Sequence, residues 1–320
     1  MSRIRELQKK LYQGGACSKM EIMSLAEEPL DELCQAADEI RRHFCGNAFD
    51  LCAVISARGG PCSEDCRFCA QSGANPSCRE VPRFSLLGTE KLLEDAMKKD
   101  SRGMMAYGIV SSGRVLPSED VEKLCHSLRL IRQKTSLRLC GSLGLLGKED
   151  LEKLKAAGMQ MIHNNLESSE TYFERICTTH TYEEKKATIR AAKEVGLAVC
   201  SGGLFGIGET LEDRIELAVN ERELGVDSVP VNLLDPATGT PFEGAEPLRE
   251  DEIRRTIALL RFALPDVFIR LAAGREYLPD KGRSCFMSGA NAVISGDFLT
   301  TMGISIDKDL KMLRALGYEI

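Results

Sequence analysis

From residue 50 onward the chain alternates between two hydrophobic patterns. Short apolar runs rich in β-branched residues stand at 51–56, 105–111, 137–142, 159–164, 197–202, 228–233, 267–272 and 290–294. Their length and composition predict buried strands. Stretches at 90–97, 118–134, 148–157, 182–195, 211–224 and 250–263 carry apolar residues at helical spacing. Gly196 and Gly225 each follow such a stretch, where a left-handed C-terminal residue favours glycine. Residues 1–40 read as helical throughout, with Asp31 as a cap for the segment 32–40.

Strands alternating with helices predict a parallel sheet. At this length the natural closure is an α/β fold of the TIM type, a (β/α)8 barrel. An open doubly wound sheet is the alternative. No linker or low-complexity tract divides the chain, so the expected organisation is an N-terminal helical extension over 1–40 and a barrel over 41–320. A barrel places its chemistry just after the strands, at their C-terminal ends.

Composition narrows the function. The 320 residues hold 42 Lys and Arg against 48 Asp and Glu, a formal net charge of −6. A mildly acidic chain lacks the basic face that general nucleic-acid binding needs. With no tryptophan and 6 tyrosines it also lacks stacking platforms for single strands. No apolar run reaches the ~18 residues of a membrane span. Charges occupy the N-terminus where a secretory signal would be apolar. The expectation is a cytoplasmic protein without a membrane or nucleic-acid partner. The 13 cysteines change the picture, because in a large cytoplasmic chain they point to metal or redox chemistry.

Three of them form Cys62-x3-Cys66-x2-Cys69 in the polar loop after the first predicted strand. Three thiolates on one tight loop can hold three corners of a cubane iron–sulfur cluster and leave the fourth iron for a non-protein ligand. A closed zinc site, completed by Cys78 or a distant histidine, is the alternative.

The spacing, with Phe68 before the third cysteine, resembles the radical S-adenosylmethionine (SAM) superfamily. Over 31–318 the chain is similar to the biotin synthase family. The phrases that carry this include Cys62–Ser72 around the triplet, Asn164-Asn165-Leu166-Glu167-Ser168-Ser169, Thr178-Thr179-His180-Thr181-Tyr182 and Cys200-Ser201-Gly202-Gly203. Others are Ser228-Val229-Pro230-Val231-Asn232, Arg270-Leu271-Ala272-Ala273-Gly274-Arg275-Glu276 and Cys285-Phe286-Met287-Ser288-Gly289-Ala290-Asn291. The resemblance implies a sulfurtransferase that inserts sulfur into dethiobiotin. It implies a 4Fe-4S cluster with SAM, an auxiliary iron–sulfur cluster, a flavodoxin- or ferredoxin-type electron donor, and a homodimer. A radical SAM enzyme of related scaffold, of the hydrogenase-cofactor or pyrrolysine-synthesis type, is the alternative.

By that resemblance Cys62, Cys66 and Cys69 hold the SAM cluster. Phe68, Asn165, Glu167, Lys185 and Leu204 contact SAM, with Lys185 in place of an arginine and so without its bidentate fork. Asn232 contacts the substrate ureido ring, and His163 stands where some members carry another asparagine. Cys140, Cys200 and Arg270 match auxiliary-cluster ligands, although arginine is almost always protonated; an ion-paired Arg270 beside the cluster is the other reading. The pattern breaks at Gly108, where better-known members have a third auxiliary cysteine. Cys78 is the expected replacement, with Cys177 and Cys285 as rivals and a 4Fe-5S auxiliary cluster favoured over 2Fe-2S. Cys17, Cys34, Cys45, Cys52 and Cys125 are read as packing residues.

Overall fold

The computed structural model describes residues 2–296 and 303–320. Its strands are β1 (Asp50–Arg58), β2 (Ala106–Ser111), β3 (Arg138–Ser142), β4 (Met161–His163), β5 (Ala198–Cys200), β6 (Gly203–Phe205), β7 (Ser228–Leu233), β8 (Phe268–Leu271) and β9 (Ala292–Ile294). All pair in parallel, in the order β5-β4-β3-β2-β1-β9-β8-β7-β6. Cys200 on β5 also pairs with Ser228 on β7, which closes the sheet. Segments β5 and β6 share one position in the wall, so the (β/α)8 barrel expected from the alternation is the fold observed.

The single strand expected at 197–202 is instead these two segments. A Cβ on Gly202 would stand 2.2 Å from the Pro230 carbonyl oxygen, so only glycine fits the approach. The Gly202 amide leaves the ladder and donates to Asn165 Oδ1 at 3.1 Å.

Outside the barrel lie helices Thr89–Asp100, Ser118–Lys134, Lys148–Ala156, Tyr182–Glu194, Leu211–Glu223 and Glu250–Ala263. Thr181 with Glu184 and Thr210 with Asp213 close capping boxes on two of them. Gly196 and Gly225 sit just past their ends with φ of 75° and 64°, as the sequence requires.

The N-terminal forty residues are not continuously helical. Helices Arg3–Tyr12 and Lys19–Met23 are separated by a turn through Gly14 (φ 80°), and Leu30–Cys45 begins directly after Pro29. Asp31 therefore lies in the first turn, not at the cap, and pairs with Arg254 at 2.9 Å. The third helix runs past residue 40 to Cys45. Ile4, Leu7, Leu11 and Ile22 are buried, and Lys19 reaches Glu212 and Glu216 of the Leu211–Glu223 helix at 2.9 and 2.8 Å. Among the described residues no helix is long and apolar enough to cross a membrane.

Candidate active site at the C-terminal mouth of the barrel

The loop after β1 carries the cysteine triplet, and its backbone is tied down from inside. The Cys62 amide donates to the Gln71 carbonyl at 2.7 Å and the Gly73 amide to the Cys62 carbonyl at 2.8 Å. Buried Asn75 donates its amide to the carbonyls of Cys66, Arg67 and Cys69 at 3.3, 3.2 and 2.9 Å. One side chain thus fixes the curvature that brings the thiols together. Asn75 escapes a reading of spacing because its role depends only on where the loop folds back.

A cavity of about 150 Å³ opens beside this loop, lined by Cys62, Cys66, Phe68, Glu167 and Lys185 among others. Glu167 adopts φ 72°, a conformation rare for a side-chain-bearing residue and frequent where strain serves function. The strain is held in place because the Glu167 amide donates to Gly202 and its carbonyl accepts from Leu204. Burial pushes the Glu167 carboxyl upward, against the pull of Lys185. Asn165 donates to Glu167 Oε2 at 3.3 Å. Lys185 is buried and lies 3.5 Å from Asn164 Oδ1, whereas Asn164 Nδ2 is buried without a partner. An unsatisfied donor on a cavity wall is what a ligand's acceptor would complete. The Leu204 side chain belongs to the apolar core and does not line this cavity.

Gly206 and Ile207 donate to Glu209, which also accepts from Arg214 Nε at 2.7 Å. Glu209 thus closes the glycine-rich turn.

Deeper in the barrel is a second cavity of about 200 Å³, lined by Cys52, Cys140, Cys200, His163, Asn232 and Arg270 among others. The two cavities adjoin at the end of β4, where His163 faces one and Asn164 the other. Burial raises the thiols of Cys140 and Cys200, and pushes that of Cys52 up to about 11. These are dry thiols that a metal would have to deprotonate. His163 Nδ1 lies 3.4 Å from Cys200 Sγ, and burial with nearby Lys185 and Arg270 brings the imidazole down to about 4, hence neutral. The Asn232 amide donates to the Gly203 carbonyl at 3.1 Å and its Oδ1 accepts from the Ala273 amide at 3.4 Å.

Arg270 is buried and ion-paired with Asp50, which Arg138 also contacts at 2.6 Å. Despite its burial the guanidinium is held firmly protonated by Asp50. A protonated guanidinium has no lone pair for a metal. Arg270 is thus ion-paired with Asp50 at the wall of the deep cavity.

Cys78 lines neither cavity; it sits on the 3-10 turn Pro76–Arg79. Cys285 is buried in the apolar core. Cys52, read from sequence as packing, instead faces the deep cavity, two residues along β1 from Val54, whose register partner is Gly108. A Cβ at Gly108 would come within 3.0 Å of Val54 Cγ1, so that position is crowded. Strand alternation could have flagged Cys52, since it shares a face with Val54.

Cys177 lies against the triplet. Its Sγ is 3.8 Å from Cys66 Sγ and 3.2 Å from Asp65 Oδ1. Hydrogen bonds from Cys66 and His180 pull the Cys177 thiol below its ordinary range. His180 is held by Glu64 at 2.7 Å.

Comparison with known proteins agrees with this geometry. Residues 59–219 match the Radical SAM superfamily, and residues 230–319 the Biotin and Thiamin Synthesis associated domain. Among solved structures, methylornithine synthase superposes with a TM-score of 0.83 at 22% identity, covering 98% of this chain and 96% of that one. The FeFe-hydrogenase maturase HydG from Carboxydothermus hydrogenoformans gives 0.82 at 18% identity, over 98% and 78%. These likenesses show the fold. The chain is a radical SAM barrel enzyme, and that class supports a 4Fe-4S cluster and SAM as cofactors. A biotin synthase of Akkermansia muciniphila is 51% identical over 100% of this chain and 99% of its own length. One of Brachyspira hyodysenteriae is 49% identical over 98% and 94%, and one of Clostridium botulinum 45% over 100% of both. Within its class, the chain belongs to the biotin synthase family.

Proposed function

We propose that this enzyme converts dethiobiotin to biotin as a sulfurtransferase, with sulfur drawn from an auxiliary cluster in the deep cavity. The observation that carries this reading is the gathering of Cys52, Cys140 and Cys200 beside protonated Arg270, one residue along β4 from the SAM-side cavity. Three thiolates and a cation suit an anionic iron–sulfur group. When bound, the SAM cluster supplies a carbon radical able to break unactivated C–H bonds, and the auxiliary cluster supplies sulfur.

Cys62, Cys66 and Cys69 hold the first cluster on the loop that Asn75 fixes. Phe68 and the Leu204 backbone bound the SAM site. Asn165 and Glu167 offer an amide and a carboxylate to its amine and ribose hydroxyls, and Lys185 offers an ammonium to its carboxylate. Asn232 presents both donor and acceptor to the planar ureido ring. Neutral His163 lies beside Cys200 without adding charge. Arg270 balances the charge of the deep site and is itself balanced by Asp50. Cys52 takes the place first expected of Cys78. A third thiolate with no further protein ligand suits the larger 4Fe-5S group. An electron donor of flavodoxin or ferredoxin type and assembly as a homodimer complete the proposal.

The test is iron and acid-labile sulfide on anaerobically reconstituted protein, with biotin formation from dethiobiotin measured in parallel. Two four-iron clusters give about eight irons per chain. Cys52→Ala is expected to fall to about four irons and lose biotin formation while still cleaving SAM. Cys78→Ala is expected to keep both. Wild-type protein that cleaves SAM but forms no biotin would overturn the functional reading. Loss of the second cluster in Cys78→Ala alone would overturn the ligand assignment.

A further inference from the structure

The barrel also has a floor, which the chemistry at its mouth leaves unused. A cavity of about 650 Å³ lies at the N-terminal ends of the strands. Its lining includes Arg138, Met161, Ala198, Asp227 and Phe268, which begin or immediately precede β3, β4, β5, β7 and β8. Arg138 and Met161 line the deep cavity as well, so these two side chains stand between one cavity and the other. Met161 packs with Cys140 and Cys200 in a small apolar cluster of their own, with Ala198 against it, apart from the main core. It is the register partner of Cys140 across β3 and β4. One methionine therefore separates the lower cavity from two of the thiols assigned to the auxiliary cluster. An unbranched side chain with three rotatable bonds, packed outside the main core, can swing aside without disturbing that core.

Charge at this partition is unbalanced. Asp50 pairs with both Arg138 and Arg270, so the three groups together carry a net positive charge. Arg138 spends Nη2 on Asp50, and its Nε is buried without a partner among the described residues. An anion at that donor would supply the missing bond, and a charge-assisted one. Two carboxylates share the wall of the lower cavity. Asp227 is held by Lys193 at 3.0 Å and by the Val199 amide at 2.8 Å, and Asp266 is exposed. Arg222 Nη1 donates to the carbonyls of Cys17 and Ala263 at 2.8 and 3.3 Å. That ties the N-terminal segment, whose Gly15 and Ala16 line the cavity, to the outer helices of the barrel.

We propose that the lower cavity is the entry site for inorganic sulfide, bound as hydrosulfide at Arg138 and passed between Arg138 and Met161 to the deep site. This rests on the reading of the deep cavity as the seat of a sulfur-donating cluster. A cluster that gives its sulfur to product needs sulfide returned to it, and the route from the mouth runs past the SAM-side cavity. A route through the floor stays open while that cavity is filled. Hydrosulfide suits the passage because it is a single heavy atom with one negative charge. A larger oxyanion would shed hydrogen bonds that Met161 and Ala198 cannot replace. The step is passage alone: no bond forms in the port and no electron moves there.

The test needs no cluster in its first arm. In the full chain, cluster-free and kept reduced without oxygen, methyl methanethiosulfonate serves as a small probe of thiol access. Its reaction at Cys140 and Cys200 is timed by peptide mass spectrometry. Ala198→Leu narrows the port beside Met161, and Ala16→Trp narrows it from outside the strands, should the first variant not fold. Val110→Phe narrows the deep cavity at the mouth end of β2 instead. Unchanged labelling of Cys78 and an unchanged melting temperature show that a variant folds. Both port variants are expected to slow labelling of Cys140 and Cys200 several-fold, and Val110→Phe to leave it near the wild-type rate. The second arm times formation of the auxiliary cluster from ferrous iron and sulfide, by Mössbauer spectroscopy. It uses protein that holds its SAM cluster, SAM and dethiobiotin, without an electron donor. The same port variants should slow it. Wild-type labelling rates in folded port variants would overturn the proposal, and a fall confined to Val110→Phe would place the route at the mouth. Slowed labelling as expected, with no second cluster in any protein, would count against the cluster reading alone.

Discussion

At the scale of single residues, the chain keeps one acid protonated in its interior. Glu221 is fully buried; its Oε1 accepts from Ser201 at 2.8 Å and its Oε2 has no partner. Burial pushes its pKa up to about 8. The unfolded chain releases this proton in the ordinary carboxylate range, so the folded chain binds more protons above that range. The stability Glu221 contributes is therefore fully present below the ordinary carboxylate range and is lost as pH rises through about 8. Glu221→Gln keeps the Ser201 bond and removes the titration. Its Tm is expected to exceed the wild type's at pH 8 and to approach it at pH 5, as measured by circular dichroism melting. Residues of this kind show how far the sequence could be read. The triplet was legible because its chemistry lies in local spacing. The roles of Cys52 and Asn75 were not, because their partners come from other strands and from a loop that folds back.

At the scale of elements, helices were the more legible part. Ser118–Lys134 and Glu250–Ala263 match the expected bounds, since a long apolar period defines them with few alternatives. The break at 201–202 was hidden because its cause, the Pro230 carbonyl, stands on the next strand. The N-terminal breaks were hidden because helical spacing persists on both sides of Gly14 and Pro29. The cysteine loop is the element whose order depends most on one side chain. Asn75→Ala leaves three carbonyls without their donor. It is expected to cost ~1–3 kcal/mol in the loop's order. The measurable outcome is slower uptake of the SAM cluster during reconstitution, with global Tm little changed.

At the scale of the whole molecule, the barrel is cross-tied through its centre. Asp50 on β1 holds Arg138 on β3 and Arg270 on β8, so one carboxylate joins strands that are not neighbours. Asp50→Asn leaves two buried or half-buried guanidinium groups without their counter-charge. The cluster-free chain is expected to lose ~3–5 kcal/mol, measured by urea unfolding. If the deep site binds an anionic cluster, adding that cluster should restore part of the loss. The same molecule has a seam at Ser201–Gly202, where side chains add to the few backbone bonds that stitch the wall. Asn165 fastens Gly202 from the β4 side and Asn232 fastens Gly203 from the β7 side. A lineage cannot then retune either asparagine for a new ligand without loosening the wall, and any drift toward new chemistry has to pass through paired changes at both edges of that seam.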